Sequence, residues 1–109
     1  MRVSDDVLFE DETVNNTTKV SEAVSLEHIY GYAVWASWAG NSITGSIKLQ
    51  ASVDGDNWSD VASSSQTISS ASSYLWNVAD AMYKYFRVSV TSGNTNDITV
   101  NCKFSAKGV

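Results

Sequence analysis

The stretch that decides the fold is "ITGSIKLQASVDGDNW", residues 43–58, in which apolar and polar side chains alternate up to Asp54-Gly55. Successive side chains of a strand point to opposite faces, so one side of this segment is apolar and the other polar. Asp-Gly then supplies a tight turn, because glycine adopts positive φ without steric cost. The pattern predicts a half-buried strand that ends in a turn. Its predicted core-facing side chains are Ile43, Ile47, Leu49, Ala51 and Val53.

The same alternation recurs in residues 74–78, 85–91 and 97–107. Residues 29–39, "IYGYAVWASWA", carry apolar side chains on both faces, which predicts a strand that is covered on both faces or lies at a subunit contact. Strands recur about every ten residues, with short loops between them and at most one helical turn around residues 79–82. We therefore predict an all-β fold, an antiparallel β-sandwich, with jelly-roll and immunoglobulin-like topologies both open.

The first quarter of the chain differs from the rest. Residues 1 to 28 contain seven acidic and two basic residues and so carry the whole net charge of −5. Because residues 1–25 show no clean period, we interpret them as an acidic N-terminal arm and residues 26–109 as the sandwich domain. The alternative is that "VLFEDETV", residues 7–14, is the first strand of the domain's own sheet. The apolar side chains with which an arm would bind a neighbour are Val7, Leu8 and Phe9.

Composition excludes several classes of protein. The basic residues are too few to form the cluster that nucleic-acid binding requires, and no apolar run approaches the roughly 18 residues of a membrane helix. The N-terminus lacks the apolar segment of a secretory signal, so we expect Met1 to be the natural start. The single cysteine, Cys102, can form no internal disulfide, which favours folding in a reducing cytosol and a small buried side chain.

No residue pattern predicts catalysis or a cofactor. The only histidine, His28, lies outside any catalytic motif, and no known nucleophile or zinc motif is present. The aspartates of residues 54–60 do not match a calcium-binding EF-hand, because Gly55 comes second and no glutamate follows. We therefore predict a structural turn without metal, while a looser calcium site remains the alternative. The residues that would form that site are Asp54, Asp56, Asn57 and Asp60.

Three motifs together resemble known proteins. They are "LQASVDGDNWSDV" (residues 49–61), "YLWNVADAMYKYFRVSV" (74–90) and "CKFSAKG" (102–108). As a set they are similar to small virion proteins of tailed bacteriophages over about residues 29 to 108. The turn and the arginine-containing strand also resemble galactose-binding-like, discoidin-type sandwiches, in which the turn and this strand are mostly structural.

The phage resemblance implies a virion structural protein, assembled in the host cytoplasm, and most specifically a capsid decoration (cement) protein. Its expected partners are the major capsid protein or another virion protein, and copies of itself, with a trimer favoured. The expected contact residues are the apolar triplet of the arm, Val7, Leu8 and Phe9, together with Trp35 and Trp38. The alternative is a carbohydrate-binding module on a head fibre or tail component, binding a surface glycan, for which Trp38 before the loop "AGNS" is the best aromatic platform.

Overall fold

The computed structural model describes residues 2–26, 29–79, 81 and 83–108. This part of the chain forms strands joined by short loops, and no residue in it is helical. His28 and much of the expected helical turn, at residues 80 and 82, lie outside the described residues. The strands are β1 (Arg2–Val14), β2 (Thr18–Val20), β3 (Val24–Ser25), β4 (Ile29–Ala39), β5 (Gly45–Ser52), β6 (Ser59–Asp60), β7 (Gln66–Ile68), β8 (Ser72–Val78), β9 (Tyr85–Ser92) and β10 (Ile98–Gly108).

The strands form two antiparallel sheets, which confirms the predicted β-sandwich. The four-stranded sheet has the order β1-β10-β4-β8. The six-stranded sheet has the order β2-β9-β5-β6, with β3 also on β9 and β7 also on β5. Taking β2 with β3, and β6 with β7, as interrupted strands leaves eight strands in two sheets of four. Their order is that of a jelly roll, so the jelly-roll alternative is the one adopted.

The core lies between the sheets and follows the predicted alternation. Tyr32 of β4 stacks on Phe86 of β9 with ring centroids 4.0 Å apart, and its hydroxyl lies 2.6 Å from that of Tyr83. This aromatic pair joins the two sheets near one end. The other buried apolar residues include Val34, Ala36, Ile43, Ile47, Leu49, Ile68, Trp76, Val88, Val90, Ile98, Val100, Cys102 and Ala106.

The alternation of β5 stops at its last residues. Ser52 is buried, whereas Val53, which the pattern places on the core side, is 66% exposed. The reason is the turn that follows, which covers Ser52: its hydroxyl accepts hydrogen bonds from the backbone N–H groups of Asp54 and Gly55 and donates one to the Asp54 carboxylate. The prediction for Val53 is thus wrong, because β5 ends at Ser52 and Val53 already belongs to the turn.

Residues 2–14 form a strand of the chain's own sheet, which is the alternative interpretation rather than a free arm. Strand β1 pairs with β10 from Arg2↔Gly108 to Val14↔Ile98. Two bulges interrupt it, and Asp11 at the second has a φ of 46°. The bulges hide the strand period from sequence reasoning. The domain boundary at residue 25 stays a prediction, but the pairing of β2 and β3 with β9 argues against it.

Strand β4 lies at the centre of its sheet, between β10 and β8. Glycine in the interior of a strand often marks a bulge or a close backbone approach, and both occur at Gly31. A Cβ atom at Gly31 would lie 3.0 Å from the carbonyl oxygen of Val78. The β4–β10 register shifts between Lys107 and Gly108, directly beside Gly31. Glycine therefore lets the end of β8 approach β4 closely at this end of the sheet.

Candidate interaction surface

A row of exposed apolar side chains crosses the outer face of the four-stranded sheet. The register pairs Val7 with Lys103, Lys103 with Trp35, and Trp35 with Leu75. Paired residues of an antiparallel sheet point to the same face, so the four side chains lie side by side across all four strands. Val7 is 45% exposed, Trp35 42% and Leu75 59%. We call these four residues the outer-face row.

On β10, β4 and β8, the rows on either side of it consist of short, uncharged side chains, whereas on β1 the residue that pairs with Ser105 is Asp5. One contains Ser37, Ser73 and Asn101, and the other Ala33, Asn77 and Ser105. None of these side chains is long, so the Trp35 ring stands on a flat surface. The positive charge of Lys103 is carried on a flexible apolar stem, which can itself cover apolar surface. Such a face, apolar at its centre and polar around it, has the composition of a protein contact site.

The structure separates the five contact residues expected from the sequence. Val7 and Trp35 come together in the outer-face row. Leu8, at the first bulge, is partly buried against the core. Phe9 and Trp38 are 7% and 5% exposed and belong to the core itself. In this structure only Val7 and Trp35 are therefore accessible to a partner.

Trp38 is unsuitable as a sugar-stacking platform because its ring lies between the sheets. Its indole N–H is buried and has no hydrogen-bond partner in the described part of the chain.

Leu75, in contrast, was not singled out from the sequence. The available signal was its position in "YLWNV", where it alternates with the core-facing Trp76 and so falls on the outer face.

The aspartate loop is held together by its own side chains. One carboxylate oxygen of Asp54 accepts hydrogen bonds from the backbone N–H groups of Asp56 and Asn57 and from the Ser52 hydroxyl. The other oxygen accepts from the Asn57 side-chain amide. These hydrogen bonds, first those from the Asn57 and Asp56 backbones, hold the pKa of Asp54 well below its usual range. These hydrogen bonds hold the conformation of the turn at residues 54–57 without requiring a bound ion.

We expect metal removal to leave stability unchanged. Within the described residues no group of three or more histidine, cysteine, aspartate or glutamate side chains is placed to hold a metal. The oxygens of Asp54 are already occupied by donors from its loop. Thermal unfolding curves in excess EDTA and in excess Ca²⁺ should coincide. A rise of several degrees with Ca²⁺ would contradict this, since a ligand that binds only the native state stabilises it by mass action.

A polar network covers the outer face of the six-stranded sheet. The Arg87 guanidinium lies 4.2 Å from the centre of the Trp58 ring and donates a hydrogen bond to the Gln50 side chain. Gln50 in turn donates to Asp60, which also accepts from Lys48. The hydrogen bond from Lys48, followed by that from Gln50, lowers the pKa of Asp60. Because Arg87 covers Trp58, this tryptophan presents no free ring face on that side.

Cys102 is a core side chain, as the sequence predicted. It is fully buried between the sheets, and burial raises the pKa of its thiol to about 12. The thiol is therefore protonated at neutral pH and unsuited to act as a nucleophile.

Among the described residues there is no helix with the length and apolar character needed to span a membrane.

Comparison with known proteins gives matches in structure only. No protein-family model matches the chain, and no curated protein matches it in sequence. The PBSX exported protein XepA superposes with a TM-score of 0.72 at 10% identity, over 97% of this chain and 37% of that protein. The SPBc2 prophage-derived protein YomS gives a TM-score of 0.60 at 16% identity, over 96% and 92% of the two chains.

A carbohydrate-binding module has a similar fold. CBM29_1 of Piromyces equi superposes with a TM-score of 0.56 at 13% identity, over 98% of this chain and 93% of the module. The chain thus resembles in fold both prophage-derived proteins and carbohydrate-binding modules, the two groups suggested by its motifs. It spans little more than a third of XepA. At these identities the likeness establishes a shared β-sandwich fold.

Proposed function

We propose that the chain is a bacteriophage virion structural protein that acts through protein–protein contacts, and specifically a capsid decoration protein. The observation that carries the proposal is the outer-face row, which presents Val7, Trp35 and Leu75 on a flat, accessible sheet. The phage-like motifs and the shared fold with two prophage-derived proteins support it. The expected partner is the major capsid protein or another virion protein.

The chemistry of the row suits such a role. A tryptophan with an adjacent leucine supplies a large contact area at low cost in conformational entropy, and tryptophan is enriched among residues that dominate interface energies. The lone charge of the row, Lys103, would pair with an acidic group of the partner and fix orientation more than affinity.

We expect the Trp35→Ser/Leu75→Ser double variant to lose capsid binding. Truncation at the centre of an interface commonly costs 2 kcal/mol or more, so the dissociation constant should rise by about thirtyfold or more. The measurement is co-sedimentation of the purified protein with capsids that lack it, at several protein concentrations. Virions purified directly should contain the chain in a fixed ratio to the major capsid protein, measured by mass spectrometry.

A control is Val53→Ser, which removes a smaller but more exposed apolar side chain on another surface. It should bind capsids like the wild type. Melting temperatures of all variants must stay close to that of the wild type, so that lost binding cannot reflect unfolding. Full capsid occupancy by the double variant would contradict the proposed surface, and absence of the chain from virions would contradict the function.

A second candidate function is carbohydrate binding, favoured by the exposed Trp35 ring on its flat surface. A tryptophan in that setting can stack on a sugar ring. Affinity electrophoresis through gels that contain soluble β-glucan or mannan tests it. Retardation of the wild type that is lost in Trp35→Ala but kept in Leu75→Ser would favour a glycan. Unchanged mobility in every gel would contradict glycan binding and favour a protein partner for the outer-face row.

A further inference from the structure

Strand β8, Ser72–Val78, is an edge strand without the usual protection. In the described part of the chain it pairs with β4 alone. Its register runs without a shift from Trp38↔Ser72 to Tyr32↔Val78. It contains no proline, and the sequence from residue 61 to residue 79 contains no charged residue. An edge strand of this kind exposes a regular row of backbone donors and acceptors that can pair with another strand.

The other edges of the described sandwich are protected. At the opposite edge of the same sheet, β1 is interrupted by bulges at Leu8 and Asp11 and carries several acidic residues. The edges of the second sheet consist of strands of only two or three residues, β2 and β3 on one side and β6 and β7 on the other. Bulges, charge and short length are the common means of blocking edge pairing, and β8 has none of them.

We propose that β8 pairs antiparallel with β8 of a second copy of this chain. The contact is isologous, so a two-fold axis passes through its centre and the two four-stranded sheets become one sheet of eight strands. Charge selects this arrangement. The whole net charge lies in residues 1 to 28, and β1 lies at the far edge of the sheet, so pairing through β8 keeps the two acidic segments apart. Pairing through β1 would bring them together.

The side chains match this symmetry. Leu75 is the middle residue of the seven in β8. Pairing centred on it places Leu75 opposite Leu75 of the second copy, with Trp35 next to each. Trp35 and Leu75 of the two copies then form a continuous apolar segment at the centre of the dimer, with Lys103 of each copy at its ends. The inference does not depend on the proposed function, because it concerns self-association and not the capsid.

Pairing of β8 with β1 of a second copy is disfavoured. The bulges of β1 break the even spacing of backbone groups that a continuous partner strand requires. Such head-to-tail contacts would join copies into closed rings or open filaments, and not into a two-fold dimer. The trimer that the phage resemblance implies would be one such ring. The oligomeric state in solution therefore distinguishes the two arrangements.

Charge variants of β8 test the pairing and its register. In the centred arrangement Ser73 faces Asn77 of the second copy, and both side chains are exposed on the outer face. Ser73→Lys/Asn77→Lys sets lysine against lysine twice, and like charges directly opposite each other destabilise strand pairing. Ser73→Glu/Asn77→Lys sets glutamate against lysine twice. Its pairing should be restored, because opposite charges at directly opposed positions attract.

The measurement is sedimentation equilibrium of the full chain from about 1 µM to about 1 mM, the range of weak to moderate association. We expect a wild-type dimer, a dissociation constant raised at least tenfold in the lysine pair, and near-wild-type dimerisation in the glutamate–lysine pair. The control Thr67→Lys/Ser105→Lys adds the same charge elsewhere and should dimerise like the wild type. Its two sites are exposed and lie off β8.

Three results would overturn the proposal: a wild-type monomer throughout this range, a wild-type trimer, or a lysine pair as dimeric as the wild type. A folded glutamate–lysine pair that stays monomeric would overturn it as well, since the centred register requires its rescue. Near-ultraviolet circular dichroism shows whether each variant is folded. Capsid binding is measured separately with the Trp35 and Leu75 variants, so failure of either proposal is recognised independently of the other.

Discussion

Deletion of residues 1–14 is expected to abolish the cooperative unfolding transition. These residues include the whole of β1, which pairs with β10 along its length. Their removal would expose the core at Phe9 and Val14 and leave the backbone groups of one edge of β10 unpaired. Burying a large apolar side chain contributes about 1.5–3 kcal/mol, and a domain has only about 5–15 kcal/mol of net stability. Urea denaturation followed by tryptophan fluorescence measures the outcome.

Point variants of β1 show which of its side chains account for the loss of stability. Phe9→Ala should cost about 3–5 kcal/mol, as truncation of a buried phenylalanine does. Val7→Ala, on the exposed outer face, should stay within about 0.5 kcal/mol. A truncated chain that keeps the wild-type urea midpoint would contradict the assignment of β1 to the core. It would support the interpretation of residues 1–25 as a separable arm.

The sandwich was predictable from the sequence where strands are regular. Strands β5, β9 and β10 alternate cleanly, and their predicted inward residues, among them Leu49, Val88 and Val100, are buried. Strand β1 was only the alternative interpretation because each bulge shifts the pattern by one residue, so that Val7 faces outward although Phe9 faces inward. A period of two cannot be read across two such shifts within thirteen residues.

The sequence predicted only part of the outer-face row, and the reason differs from the one that applies to β1. Val7 and Trp35 were proposed as contact residues, but they lie 28 positions apart in the sequence, and nothing in the composition says that they align. Alignment depends on the register of four strands, of which β1 and β8 lie on opposite edges. Register is set by tertiary packing and turn geometry, so the row that includes Leu75 emerges only from the structure.

The end of β5 offers a direct test of how far the alternation holds. Leu49 and Val53 fall on the same side of the strand by sequence, yet Leu49 is fully buried and Val53 is exposed. Leu49→Ala should lower the free energy of unfolding by about 2–5 kcal/mol, through lost burial and the cavity that is left. Val53→Ala should change it by no more than about 0.5 kcal/mol. Both values come from urea denaturation under identical conditions.

The comparison is informative because the two variants remove aliphatic side chains from the same hairpin. Lys48→Ala serves as a control on the opposite face: its ion pair with Asp60, at 2.9 Å, is partly exposed and should contribute no more than about 1 kcal/mol. Equal and large losses for Leu49→Ala and Val53→Ala would mean that the alternation continues past Ser52. The end of β5 at Ser52, whose hydroxyl donates to Asp54 and accepts from the turn backbone, would then be the wrong explanation of the corner.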